Sequence, residues 1–204
     1  MMSHWEIVGV FFSITYLILA MRENRVCFIS GFISTCIFTG IFFNAKLYME
    51  SALQLYYGAM SIYGWWQWQH GGKNNKTLAI SRWTMKQHLS AFFIIICLST
   101  VSGIFLAHNT QASYPFFDSI VTWGSLITTY MVTRKILENW LYWIAFDSLA
   151  LCLYFNKGLY VTAGLFAAFV VLAILGYFRW LKKYRLEASD SVLSPSKGLV
   201  FGGD

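Results

Sequence analysis

Asp147 is a carboxylate in the middle of an apolar run, Ile136 to Phe155. It stands nine residues before Asn156, or roughly 13 Å along a helix. Gln54 stands seven residues beyond Leu47, or roughly 10 Å by the same rise, so the two polar groups lie at similar depths. An ionisable group that deep in an apolar segment is expensive and is a functional candidate by default. Its neighbours are aromatic and helically spaced. Gln54, Tyr57, Ser61, Trp65 and Trp68 share one helix face, and Trp140, Trp143 and Asp147 share another. An amide, a carboxylate and stacked indoles suit a small molecule with a flat, positively charged ring. The ring faces attract the cation, and the carboxylate neutralises it in a low dielectric. The competing reading makes the Trp residues an interfacial belt, which fits Trp68 and Trp140 best because they sit near helix ends. It leaves Asp147 satisfied by Ser148, Thr122 or another helix.

The elements that must position these residues follow from composition. Of 204 residues 57% are hydrophobic and only 12% charged, about half the charged fraction of a soluble domain. With a mean hydropathy of +0.55, this excludes a soluble enzyme and points to a chain embedded in a lipid bilayer. Charge-poor runs long enough to span the hydrocarbon core extend roughly from Trp5 to Met21, Val26 to Phe43, Leu47 to Trp68, Gln87 to Leu106, Phe116 to Thr133, Ile136 to Phe155 and Leu159 to Leu181. The expected fold class is therefore all-α integral membrane with seven transmembrane helices. The N-terminal MMSHWEIVG lacks Lys and Arg and does not read as a cleaved signal peptide. Residues 182–204 are polar and read as a flexible tail.

The net charge of +6 would suggest nucleic acid in a soluble protein. Here its placement matters more. With seven crossings, 13 basic residues fall on one side, among them Arg22, Arg25, Arg82, Arg134, Lys135 and Lys183. Only Lys46 and Lys157 fall on the other. By the positive-inside rule the N-terminus is expected outside and the C-terminus in the cytoplasm, with no nucleic-acid partner.

An ungapped offset of 112 residues aligns the first three runs with the last three: Glu6 with Asp118, Arg22 with Arg134, Phe43-Asn44 with Phe155-Asn156, Gly64 with Gly176 and Trp68 with Trp180. Directly joined triplets would lie in opposite orientations, and the fourth run restores the same one. The expected organisation is a parallel 3+1+3 repeat: residues 5–68, a linker and connecting helix over 69–106, a second triplet over 116–181, and the tail 182–204. Such repeats place a binding site near the bilayer midplane, between the halves.

No other constellation competes. Cys27, Cys36, Cys97 and Cys152 lack C-x-x-C spacing, and His4, His70, His88 and His108 lack metal-ligand spacing. HGGKNNKT is not a Walker loop, so neither metal, cofactor nor ATP-driven pumping is expected. A membrane enzyme pairing Asp147 with Glu50 or Asp118 is the alternative class, but neither acid has a sequence-evident partnership with Asp147. A structural or signalling seven-helix protein would not predict the repeat.

The segments QLYYGAMSIYGWWQW, YPFFDS and MVTRKILENWLYWIAFDSLALCLYFNKGLY closely resemble the PnuC family of bacterial vitamin transporters, over essentially Trp5 to Tyr184. The resemblance implies a fold similar to the SWEET sugar transporters and a homotrimer in the bacterial inner membrane. It also implies facilitated diffusion of nicotinamide riboside, trapped by a cytoplasmic vitamin kinase. It marks Gln54, Tyr57, Trp65, Trp143 and Asp147 as binding positions. An acid at position 147 and a compact linker look more like the thiamine-associated members, because the familiar riboside carriers have an amide there. Nicotinamide riboside and thiamine both carry a cationic ring, so Asp147 suits either. Nicotinamide riboside ranks first on family prevalence, thiamine second, and riboflavin is among the remaining vitamins.

Overall fold

A computed structural model describes residues 4–46, 48–72, 77–110, 114–156, 158 and 160–193. Among them lie seven helices: α1 (His4–Met21), α2 (Cys27–Asn44), α3 (Tyr48–His70), α4 (Met85–Asn109), α5 (Pro115–Thr133), α6 (Asn139–Asn156) and α7 (Tyr160–Leu193). Each falls on one of the seven apolar runs. Leu47, Lys73, Lys76, Lys157, Leu159 and Lys197, which bounded runs or entered the charge partition, lie outside the described residues.

Four helices, α1, α2, α4 and α7, are long and apolar enough to cross a membrane by length and hydropathy. The other three are diluted by the polar residues they carry inward: Ser51, Ser61 and Gln67 on α3, Ser119, Ser125 and Thr128 on α5, Asn139 and Asp147 on α6, all buried. The shortest, α6, has 18 residues, or roughly 27 Å, close to the thickness of the hydrocarbon core. The outer surface is the reverse. Leu89, Phe93, Ile96, Val101 and Phe105 stand exposed along α4, as lipid contact demands.

Helix α2 packs against both α1 and α3, and α6 against both α5 and α7. These two groups meet where α3 touches α5 and α1 touches α7, while α4 lies against α5. Several contacts recur at the offset of 112. Trp68 donates its indole N–H to the Val132 carbonyl (3.0 Å), and Trp180 donates to the Ala20 carbonyl (3.1 Å). Phe28 meets Trp68 edge-on at 4.9 Å, and Trp140 meets Trp180 edge-on at 5.4 Å. A Cβ on Gly64 would overlap the Phe28 ring, and one on Gly176 the Trp140 ring, so glycine is needed in both places for close approach.

Helix α4 extends beyond the expected Gln87 to Leu106 at both ends, and two further boundaries differ for a visible reason. α6 begins at Asn139 rather than Ile136, because Lys135 and Leu137 bond to an extended strap, residues 77–83, between α3 and α4: Ser81 N–H donates to the Lys135 carbonyl (3.0 Å) and Leu137 N–H to the Ser81 carbonyl (2.8 Å). Helix α7 continues to Leu193, so the tail expected from residue 182 begins as helix. Lys183 and Glu187, one turn apart at 3.8 Å, and the Ser189 hydroxyl donating to the Arg185 carbonyl support that extension.

Candidate functional site

Asp147 sits midway along α6 and is 7% exposed. Among the described residues no lysine or arginine forms an ion pair with it. Tyr57 of α3 reaches toward it: the phenol lies beside the Ser125 hydroxyl of α5 and within electrostatic range of the Asp147 carboxyl. One turn of α3 is held against α5 here, since the neighbouring Tyr56 hydroxyl donates to the Leu126 carbonyl at 2.9 Å. Tyr57 of α3 thus lies against α5 and within electrostatic range of the α6 carboxylate. Gln54, one turn from Tyr57 on α3, is half-buried. A buried carboxylate beside a phenol and a hydroxyl can neutralise a cation and accept or donate hydrogen bonds to a polar ligand.

The four tryptophans divide. Trp143 is half-buried one turn before Asp147, and Trp65 is half-buried on α3. The Arg25 guanidinium lies 5.3 Å from the Trp65 ring. Trp68 and Trp140 are 3% and 1% exposed and belong to a packed layer with Phe28, Leu137 and Trp180. Lys135 stands over the Trp68 ring at 4.7 Å, and the buried Trp140 indole N–H has no hydrogen-bond partner. The structure therefore places Tyr57 within electrostatic range of Asp147 and packs Trp68 and Trp140 into the buried apolar layer with Phe28 and Trp180.

The basic end holds Lys135, Lys183 and Arg82, which sequence reasoning counted only as charges, and Glu23 and Glu138, which it did not single out. The Lys135 ammonium donates to Glu23 Oε2 at 3.0 Å, Lys183 to Glu23 Oε1 at 3.0 Å, and Arg82 to Glu138 at 2.6 Å. Trp83 N–H also donates to Glu138, and that carboxylate holds the Arg82 guanidinium protonated beyond its ordinary range. The missed signal was the offset itself, which superposes Glu23 on Lys135, opposite charges at matching positions. Glu50 and Asp118, the alternative acid partners, gather at the other end near Tyr154, about 10 Å along α6 from Asp147. A cleft of about 310 Å³ lies on the flank between α4 and α6, lined by His88, Phe92, Tyr142 and Phe146, and includes none of Gln54, Tyr57 or Asp147.

Membrane helices with an apolar exterior around a buried carboxylate, with no lysine or arginine paired to it among the described residues, suit a small-molecule membrane transporter. The chain belongs to the family described as "Nicotinamide mononucleotide transporter", whose model matches residues 3–182. It is a transporter and not an enzyme. It is 24% identical over 94% of its length to the nicotinamide riboside transporter PnuC of Escherichia coli K12, covering 90% of that protein. It is 22% identical over 90% of its length to the riboflavin/roseoflavin transporter RibM of Streptomyces davaonensis, covering 87% of that protein. In fold it is similar to the crystal structure of the vitamin B3 transporter PnuC, with a TM-score of 0.69 at 19% identity, over 89% of this chain and 82% of that one.

Proposed function

We propose that the chain takes up a cationic vitamin, nicotinamide riboside first, binding it between two three-helix halves that open alternately to either side of the membrane. The observation that carries this is Asp147, buried with no ion-pair partner among the described residues and within electrostatic range of Tyr57. A pyridinium ring supplies the missing charge. Trp143 and Trp65 offer faces for stacking, Gln54 and Tyr57 hydrogen bonds, and Trp68 with Trp140 the floor. A mononucleotide would bring a phosphate toward a carboxylate, which like-charge repulsion opposes. Riboflavin, named for one relative, has a neutral ring and leaves the acid uncompensated. Thiamine, with its cationic thiazolium, remains the second reading on the acid at 147.

The contacts repeated at the offset of 112 support duplication, with α1–α3 and α5–α7 as the halves and α4 as the connector of a parallel, SWEET-like 3+1+3 arrangement. The basic end is assigned to the cytoplasm of a bacterial inner membrane by the positive-inside rule, which puts the N-terminus outside. The family resemblance adds a homotrimer, facilitated diffusion and trapping by a cytoplasmic kinase. Uptake into proteoliposomes tests the mechanism: nicotinamide riboside should equilibrate and not accumulate, with or without a pH gradient. Accumulation driven by the gradient would make Asp147 a proton carrier and the protein a symporter.

A further inference from the structure

At the basic end, Glu23 and Lys135 are 112 residues apart and occupy the same local structure. Each is the residue just past a helix end, with φ of 53° and 50°. Each lies in the same pair of backbone bonds: Glu23 N–H to Ala20 and Asn24 N–H to Leu19 in one, Lys135 N–H to Val132 and Ile136 N–H to Met131 in the other. This left-handed position after a helix is where glycine is normally found, because a side chain there is strained. Both places instead carry long charged side chains, and the two join each other at 3.0 Å, each 8% exposed. Lys46, just past α2, has the same positive φ (61°), so what sets Glu23 and Lys135 apart is the buried ion pair that joins them. That bond ties the end of α1 to the end of α5, the matching first helices of the two groups.

The bond sits in a closure built of further parts. Lys135 covers the Trp68 ring, Lys183 of α7 holds the other Glu23 oxygen, and the strap is sewn to Lys135 and Leu137 with Ile80 buried beneath it. We propose that the Glu23–Lys135 pair is the latch of the basic-side gate. It closes the path below Asp147 in the conformation described here, and it breaks when the two halves separate to release the vitamin. The inference rests on the alternating-access reading above but not on which vitamin is carried. Lys183 of α7 lies in the same half as Lys135, so both cations leave Glu23 together on opening, and the water that enters on the basic side solvates the carboxylate in their place.

The test uses the full chain in oriented membrane vesicles, with its four cysteines replaced by alanine and Ser125→Cys, beside Tyr57, as reporter. A membrane-impermeant maleimide applied to the basic side should label the reporter at least about tenfold faster when Glu23→Gln and Lys135→Met are added, a shift of population toward the open state. Lys135→Arg, which keeps the charge, should label at the reporter's own slow rate. Unchanged labelling in the Gln/Met variant would reduce the pair to a structural contact and overturn the proposal. A second variant needs no unpaired charge: Glu23→Cys with Lys135→Cys, bridged by a short bismaleimide, should lose uptake while still binding nicotinamide riboside from the other side. Bridged protein that transports at the unbridged rate also overturns it. If Glu23→Gln with Lys135→Met speeds the labelling as expected but the protein with Glu23 and Lys135 intact carries no nicotinamide riboside, the substrate assignment fails and the latch does not.

Discussion

Trp68 and Trp180 meet at a tilt with 5.9 Å between ring centroids, and their indole N–H groups donate to the last turns of α5 and α1 respectively. The two hydrogen bonds are buried, and because each carbonyl also accepts from the backbone N–H of Lys135 or Glu23, removing either indole donor loses one bond without leaving the carbonyl unpaired. Trp68→Phe and Trp180→Phe should each lower stability by about 1 kcal/mol. Thermal unfolding in detergent measures this, with the exposed Trp66→Phe as a control that should not shift.

Close approach at two glycines gives a second matched pair. Gly64→Ala and Gly176→Ala push a methyl group into the Phe28 and Trp140 rings. Each should cost about 1–3 kcal/mol through overpacking. Gly164→Ala, which meets nothing within 4 Å, should be nearly neutral in the same melt.

Tyr57→Phe keeps the ring on α3 and removes only the hydroxyl that lies beside Ser125 and near Asp147. Nicotinamide riboside affinity should fall by up to about tenfold, one hydrogen bond's worth, with the melting temperature little changed. Titration of intrinsic tryptophan fluorescence with the vitamin follows it. An unaltered dissociation constant would remove Tyr57 from the site.

Orientation is open to a direct reading. A reporter that fluoresces only in the cytoplasm, fused after Asp204, should be active, and one requiring export should not. The opposite pattern would invert the topology and move the proposed latch to the outer side.

Much of this architecture is legible in the sequence, because a bilayer imposes its own ruler. Runs near 20 apolar residues have few alternative readings, and α1, α2 and α5 end within about one residue of the expected limits. The offset of 112 anticipated Trp68 with Trp180 and Gly64 with Gly176. Asp147 stood out because a carboxylate in apolar surroundings is rare. Other features left no periodic trace. The strap around Ser81 is extended chain whose place depends on backbone bonds to Lys135 and Leu137, and no pattern of residue types encodes that pairing. Spacing put Trp68 on the face of Gln54 but did not reveal that Lys135 covers its ring. Lys135 was counted as a charge at a helix end and Glu23 was not singled out, because their partnership emerges only when the ends of α1 and α5 are brought together. The polar end of α7 was read by composition, which does not register the one-turn pairing of Lys183 with Glu187.

The central claim is that Asp147 holds a cationic vitamin, and the direct measurement is calorimetric binding of nicotinamide riboside and thiamine, side by side, to the parent protein and to Asp147→Asn. The amide keeps the size and a hydrogen-bonding capacity and removes only the charge. Nicotinamide riboside should bind the parent more tightly than thiamine does, and the substitution should weaken it by about tenfold or more, the loss of a charge-assisted contact in a buried site. Equal affinity for nicotinamide riboside in both proteins, with Asp147→Asn folded, would contradict the account.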